Sequence, residues 1–303
     1  MKKILLFFSA FIICTTFATC TQEEQEPVQK KSIAEKATSI EDLTTQLKEY
    51  NTRFEMKKVP ITMRSSSSKI RLSLKDKIKI AITDAIGGTV GALFGGPYGC
   101  IVTGATASYL KRLQILHEKN LKIEKVKNAY SDVNIGNTAM ANFTDSVGCY
   151  HNIIENELHS YYDNINYKVT EMELVSFCNY KMRILSDEYR NNYVITSSSL
   201  TNLCNNMTPV TKIPYNDDRS FQDYCTLLKY SEPSQAKYID YIGEYLFTLA
   251  YANIDDPEAY TNEVLFQIKN SNVDVSDKGA LYNGVVTAYA SLHYSACIDY
   301  AEK

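Results

Sequence analysis

The chain has 303 residues, 45% of them hydrophobic and 22% charged, with a formal net charge of −3. That length and apolar content allow a sizeable core and exclude a disordered or collagen-like chain. The small net charge conceals a division: residues 57–128 carry fourteen Lys and Arg against four Asp and Glu, and residues 129–303 carry eleven against twenty-three.

Residues 1–19 have the parts of a secretory signal: Lys2 and Lys3, an apolar run from Ile4 to Ile13, then small and hydroxylated residues. The apolar run is shorter than the ~20 residues of a usual spanning helix. Phe17-Ala18-Thr19-Cys20 resembles a bacterial lipobox, with Phe17 and Thr19 departing from its usual residues, and predicts lipidation at Cys20. The alternative is cleavage after Ala18, which would release a periplasmic or secreted protein. Residues 20–38 then form an acidic tether, and 39–73 a short helix and linker. Ser39 with Asp42 offers a capping box, and Leu43, Leu47 and Tyr50 give one apolar stripe. Pro60 and the run Ser65–Ser68 mark the linker.

From Asp84 to Leu110 the chain carries no charge after its first residue. Small residues recur in it every four positions, as Gly87, Gly91, Gly95, Gly99 and as Gly88, Ala92, Gly96, Cys100, Gly104. Residues four apart lie on one helical face, so both rows form smooth ridges against which another backbone can pack closely. Pro97 within a helix would cost ~3 kcal/mol, so Gly95-Gly96-Pro97-Tyr98-Gly99 predicts a turn between helices over 74–94 and 99–128. Residues 74–128 thus read as a basic glycine-zipper helical hairpin, with Lys75, Lys77, Lys79, Lys111 and Arg112 at one end. Three readings compete for it: a single spanning helix, an inserted or self-associating hairpin that grips anionic headgroups and supports a homo-oligomer, and a soluble hairpin docked on the acidic domain.

Residues 129–303 read as an acidic α-helical domain, with helices expected at 142–164, after Thr170, at 197–207, 218–230, 233–252, 257–270 and 277–300. Thr170 with Glu173 forms a second capping box, Pro233 and Pro257 suit first-turn positions, and Ser276 is the expected cap of the last helix. No segment alternates long enough to demand a sheet, so the fold class is all-α: the hairpin plus a C-terminal multi-helix bundle. Six cysteines follow Cys20 without a CxxC spacing; buried free thiols are expected, with one or two bridges open.

His151, Glu155 and His159 are spaced i, i+4, i+8. Three such turns span ~12 Å, so all three cannot reach one ion without a ligand from elsewhere. They are metal candidates with His293, and the competing reading is a polar helix face. No catalytic residue and no cofactor is assigned: GxSxG, HExxH and a phosphate loop are absent. The basic block lacks a DNA-binding motif, and no nucleic-acid partner is expected.

Gly148-Cys149-Tyr150-His151-Asn152, with the lipobox, Tyr50-Asn51 and the Gly/Ala-rich segment opening at Asp84-Ala85, resembles uncharacterised Bacteroidota cell-envelope lipoproteins. Glu155 stands where that pattern has leucine. The resemblance implies an envelope location, an outer-membrane lipoprotein with surface exposure as one arrangement, and no known activity. A structural, membrane-associating or binding role follows as the expectation. The alternatives are a secreted, bacteriocin-like membrane-active protein and a metal-dependent hydrolase.

Overall fold

The computed structural model describes residues 36–57, 70–126, 146–163, 169–187, 190 and 196–303. The expected signal, Cys20, most of the acidic tether and the Ser65–Ser68 run lie outside the described residues. In chain order the elements are α1 (Ile40–Asn51), α2 (Leu74–Glu118), β1 (Leu121–Val126), α3 (Ser146–Tyr162), α4 (Glu171–Leu185), α5 (Ser197–Thr211), α6 (Phe221–Ser231), a 3-10 turn (Pro233–Gln235), α7 (Ala236–Tyr251), α8 (Pro257–Asn270), α9 (Val275–Ala296) and β2 (Ile298–Glu302). The fold is an all-α multi-helix bundle, with one small sheet among the described residues.

Both expected capping boxes form. Ser39 Oγ accepts from Asp42 N at 3.0 Å while Asp42 accepts from Ser39 N, and Thr170 and Glu173 exchange the same pair of bonds. A third box, Ser73 with Asp76, starts α2. Such caps satisfy amides that the first helical turn cannot.

The hairpin folds back where the glycines and Pro97 interrupt it. Gly95 (φ −137°, ψ 16°) and Gly96 (φ 57°, ψ −151°) leave helical geometry, and a positive φ at Gly96 is one that only glycine adopts without strain. Two arms result, 74–94 and 97–118, and they lie at the centre of the unit Lys36–Lys303, in contact with α3, α4, α5, α6, α7 and α9. Nearly every residue of the arms is buried away from the turn.

Four local expectations are corrected. The second arm does not continue to residue 128: Asn120, at φ 52°, ends it, and Leu121–Val126 pairs antiparallel with Ile298–Glu302. In β1, Leu121 is buried while Lys122 is exposed, and in β2 Ile298, Asp299 and Tyr300 are all buried, so neither short strand has an alternation long enough to stand out in the sequence. The last helix accordingly stops at Ala296, and Asp274 rather than Ser276 caps it, accepting from Ser276 N at 2.8 Å. α5 runs through Pro209 to Thr211 because Met207, Val210 and Thr211 are buried on either side of it. All six described cysteines are free.

Candidate functional site

The glycine rows divide the work of packing. Along the first, a Cβ at Gly87 would stand 2.7 Å from Ala107 Cβ, and one at Gly91 would collide with Gly99 O and Thr103 Oγ1. Thr103 Oγ1 donates to Gly87 O across the hairpin at 2.6 Å. This row joins arm to arm. The second row meets both the opposite arm and α9: a Cβ at Gly88 would stand 2.9 Å from Cys100 Sγ and 3.5 Å from Thr287 Oγ1, and one at Gly104 would stand 3.0 Å from Asp84 Oδ1 and 3.2 Å from Thr287 Cγ2. From the α9 side, a Cβ on Gly284 would be 2.6 Å from Thr89 Cγ2. Gly95 and Gly96 were expected to pack as well; instead they form the turn, with nothing within 4 Å of a Cβ at either.

The basic end of the hairpin is bonded internally. Lys79 Nζ donates to Asn216 O at 3.0 Å, Lys111 Nζ to Ile213 O at 2.7 Å, and Lys119 Nζ meets Asp217 at 3.0 Å and Asp76 at 3.3 Å. Lys75 also donates to Asp217 O. These cations staple both arms to the 212–219 loop, and Lys79, Lys111 and Arg112 are buried. Burial lowers the Lys111 ammonium to about 7, helped by the nearby charges of Lys79 and Arg219.

Close approach of the arms to α3 and α9 encloses a network of charges. Its members come from four elements: Asp84, Ser108 and Arg112 from α2; His151, Asn152, Glu155 and His159 from α3; Ser291, Tyr294 and Ser295 from α9; and Tyr300 from β2. The i, i+4, i+8 spacing of α3 turns its two histidines and Glu155 toward the hairpin, as the shared-face argument requires. Arg112 Nη2 and Nε lie 2.8 and 2.9 Å from Glu155 Oε1. Arg112 also donates to Tyr300 Oη at 2.9 Å and Ser295 Oγ at 3.2 Å, and its guanidinium stands over the Tyr294 ring. His159 Nε2 is 3.8 Å from Glu155 Oε1, and its Nδ1 is 3.0 Å from Asp163. Asp84, Arg112, His151 and Glu155 have no solvent exposure.

Burial disfavours each of these charges, and partners decide which survive. Burial raises the Asp84 carboxyl to about 6 against the opposing pull of His151. For His151, burial works downward, but the Asp84 charge outweighs it and the imidazole rises to about 9. Burial would raise Glu155, yet Arg112 holds it at about 2. Arg112 is itself held above its ordinary value by Glu155 despite burial.

Satisfaction is uneven. Asp84 Oδ2, Glu155 Oε2, Ser108 Oγ, Ser291 Oγ and Tyr294 Oη are buried without a hydrogen bond. His151 Nε2 approaches Asp84 Oδ1 to 2.9 Å, a contact lacking hydrogen-bond alignment, while its Nδ1 lies 2.9 Å from Asn152 Oδ1. Of the four sequence candidates, His151 and Glu155 join Asp84 in a group whose ligand atoms all lie within 4.8 Å of one another. His159 stands one turn further along, and His293 is not part of the group.

Asp84, Arg112 and Ser291 were not among the sequence candidates. Asp84 read only as the edge of the uncharged stretch, and Arg112 as a headgroup contact. The signal available was the row Thr287, Ser291, Ser295 at helical spacing, a polar stripe along the second half of the last helix.

A groove of about 570 Å³ lies beside the network. Tyr109, Leu113, Leu121, Ile123, Tyr162 and Leu174 line it, with Asp163, Lys122 and Lys303 among its polar groups. Tyr109 Oη donates to Asp163 at 3.4 Å, which connects the groove to His159. The class defined by these features is a helical domain built on a buried small-residue hairpin with an internal charge network. No protein family, curated protein or solved structure matches this chain.

Proposed function

We propose that this is a cell-envelope lipoprotein, attached through an acyl chain on Cys20, whose helical domain has a non-enzymatic binding or structural role. The observation carrying this reading is the use made of the hairpin. α2 is long and apolar enough to cross a membrane by length and composition, yet its glycine rows pack on each other and on α9, and its cations bind carbonyls and carboxylates of the same domain. In this reading attachment is assigned to Cys20 and not to the hairpin. The groove beside Tyr109 is the concave surface this domain offers a ligand; its volume is within the range of small-molecule sites.

The burial of Asp84, His151 and Glu155 supports a non-enzymatic reading, since a substrate in solvent has no contact with any of them. Fractionation of bacteria expressing the wild type and Cys20→Ser, with metabolic palmitate labelling, tests the proposal. The wild type is expected to incorporate label and sediment with membranes, and Cys20→Ser to do neither. A Cys20→Ser chain that remains membrane-bound would overturn it.

A further inference from the structure

We propose that Asp84, His151 and Glu155 form a buried site for one divalent transition-metal cation of octahedral preference, such as Mn²⁺, which ties the hairpin to α3. This inference is independent of how the chain is attached to the envelope.

The donor set comes from two separate elements, which is what the sequence spacing lacked. α3 supplies His151 and Glu155, one turn apart, and the first arm supplies Asp84. Two of the three side chains are oriented by a second partner, as metal ligands usually are. Asn152 Oδ1 lies 2.9 Å from His151 Nδ1 and can accept a hydrogen bond from it, so that a ring without its Nε2 proton turns that lone pair toward Asp84. Arg112 takes Glu155 Oε1 with two nitrogens and leaves Oε2 without a hydrogen bond.

The nitrogen and a carboxylate oxygen stand 2.9 Å apart, an ion pair while the ring is protonated and two neighbouring ligand atoms once a metal ion replaces that proton. With metal–ligand bonds of about 2.1 Å, such a separation subtends roughly 90° at the ion, the angle of neighbouring ligands in an octahedron rather than a tetrahedron. Two carboxylates and one imidazole suit an ion of this kind. Independent observations concern the surroundings. Ser291 Oγ, fully buried on α9, faces the Asp84 carboxyl and lowers its pKa, and has no other hydrogen-bond partner among the described residues. Across from it, Gly104 leaves open the space against Asp84 Oδ1 that a Cβ would crowd at 3.0 Å. Binding balances as uptake of M²⁺ with loss of the His151 ring proton to solvent, so the enclosed network gains one unit of charge, which Asp84 and Glu155 face directly.

The test uses the full chain, stripped with EDTA and titrated with Mn²⁺ while the six-line electron paramagnetic resonance signal of the free ion is followed. One equivalent is expected to lose that signal per chain, with a rise in Tm. Asp84→Asn, which keeps the side-chain shape and removes a desolvated charge, is expected to fold and to bind at least tenfold more weakly. His293→Ala, outside the group, is expected to bind as the wild type does. An undiminished free-ion signal with the wild type, at protein in excess of Mn²⁺, would overturn the proposal and leave an ion-pair network only. Unchanged affinity in Asp84→Asn, or equal loss in His293→Ala, would overturn it as well.

Discussion

At the residue scale, Lys111 is the group whose burial has the plainest thermodynamic consequence. Its ammonium donates to Ile213 O and Gln114 Oε1 and lies 5.0 Å from the Tyr224 ring centre, with Lys79 and Arg219 as nearby cations. In the folded protein it releases its proton above about 7, whereas its ordinary value is 10.5. Between these two values the unfolded chain binds the extra proton, so this residue makes stability rise with pH across that window, by up to about 1.4 kcal/mol per pH unit. Below the window both states are protonated and the contribution is flat. Urea unfolding of the wild type at pH 7 and pH 9, compared with Lys111→Met, is expected to show a gain at the higher pH that the variant lacks. Equal pH dependence in the two would contradict the assignment. The same burial explains why this residue was misread from sequence. A lysine at the end of an apolar stretch looks like a headgroup contact, and only the position of the Ile213 carbonyl shows that it points inward.

At the element scale, the hairpin rests on two kinds of glycine that the spacing alone does not separate. Gly91 lies where a Cβ would meet the backbone of Gly99, a neighbour that cannot turn aside. Overpacking of that kind costs typically 1–3 kcal/mol, and more where the backbone must move. Gly91→Ala is therefore expected to lower unfolding stability by ~3 kcal/mol or more in urea titrations. Gly95→Ala, with open space around its Cβ, is expected to stay within ~1 kcal/mol of the wild type. Similar losses for both would show that the rows act through helix propensity and not through contact. The turn itself was legible, because Gly95-Gly96-Pro97 forbids a continuous helix, and so were both expected capping boxes, because their spacing is local. The sheet was not: β1 and β2 are short, and their partnership joins residue 121 to residue 302, a separation that no local pattern reports. Asp84 was missed for a related reason, since its meeting with His151 depends on tertiary packing and leaves no periodic trace.

At the scale of the whole molecule, the uncharged, glycine-rich, lysine-flanked segment is used in the opposite way to its usual one. Such a segment suggests a bilayer, but here its small faces are matched by Thr103, Ala107 and Thr287, and its flanking charges by the 212–219 loop and Glu155. The apolar stretch is the axis of a helical domain, and the cations close its base. Cys100 reports on this directly. It is fully buried on the second arm, 3.2 Å from Thr287 Oγ1, and burial pushes its thiol up to about 12. The deciding measurement is site-resolved alkylation of the Cys20→Ser chain in buffer free of detergent and lipid, read by mass spectrometry. Cys100 is expected to remain unmodified until denaturant is added, with or without liposomes. Rapid modification of Cys100 in buffer, suppressed only when liposomes are supplied, would contradict it.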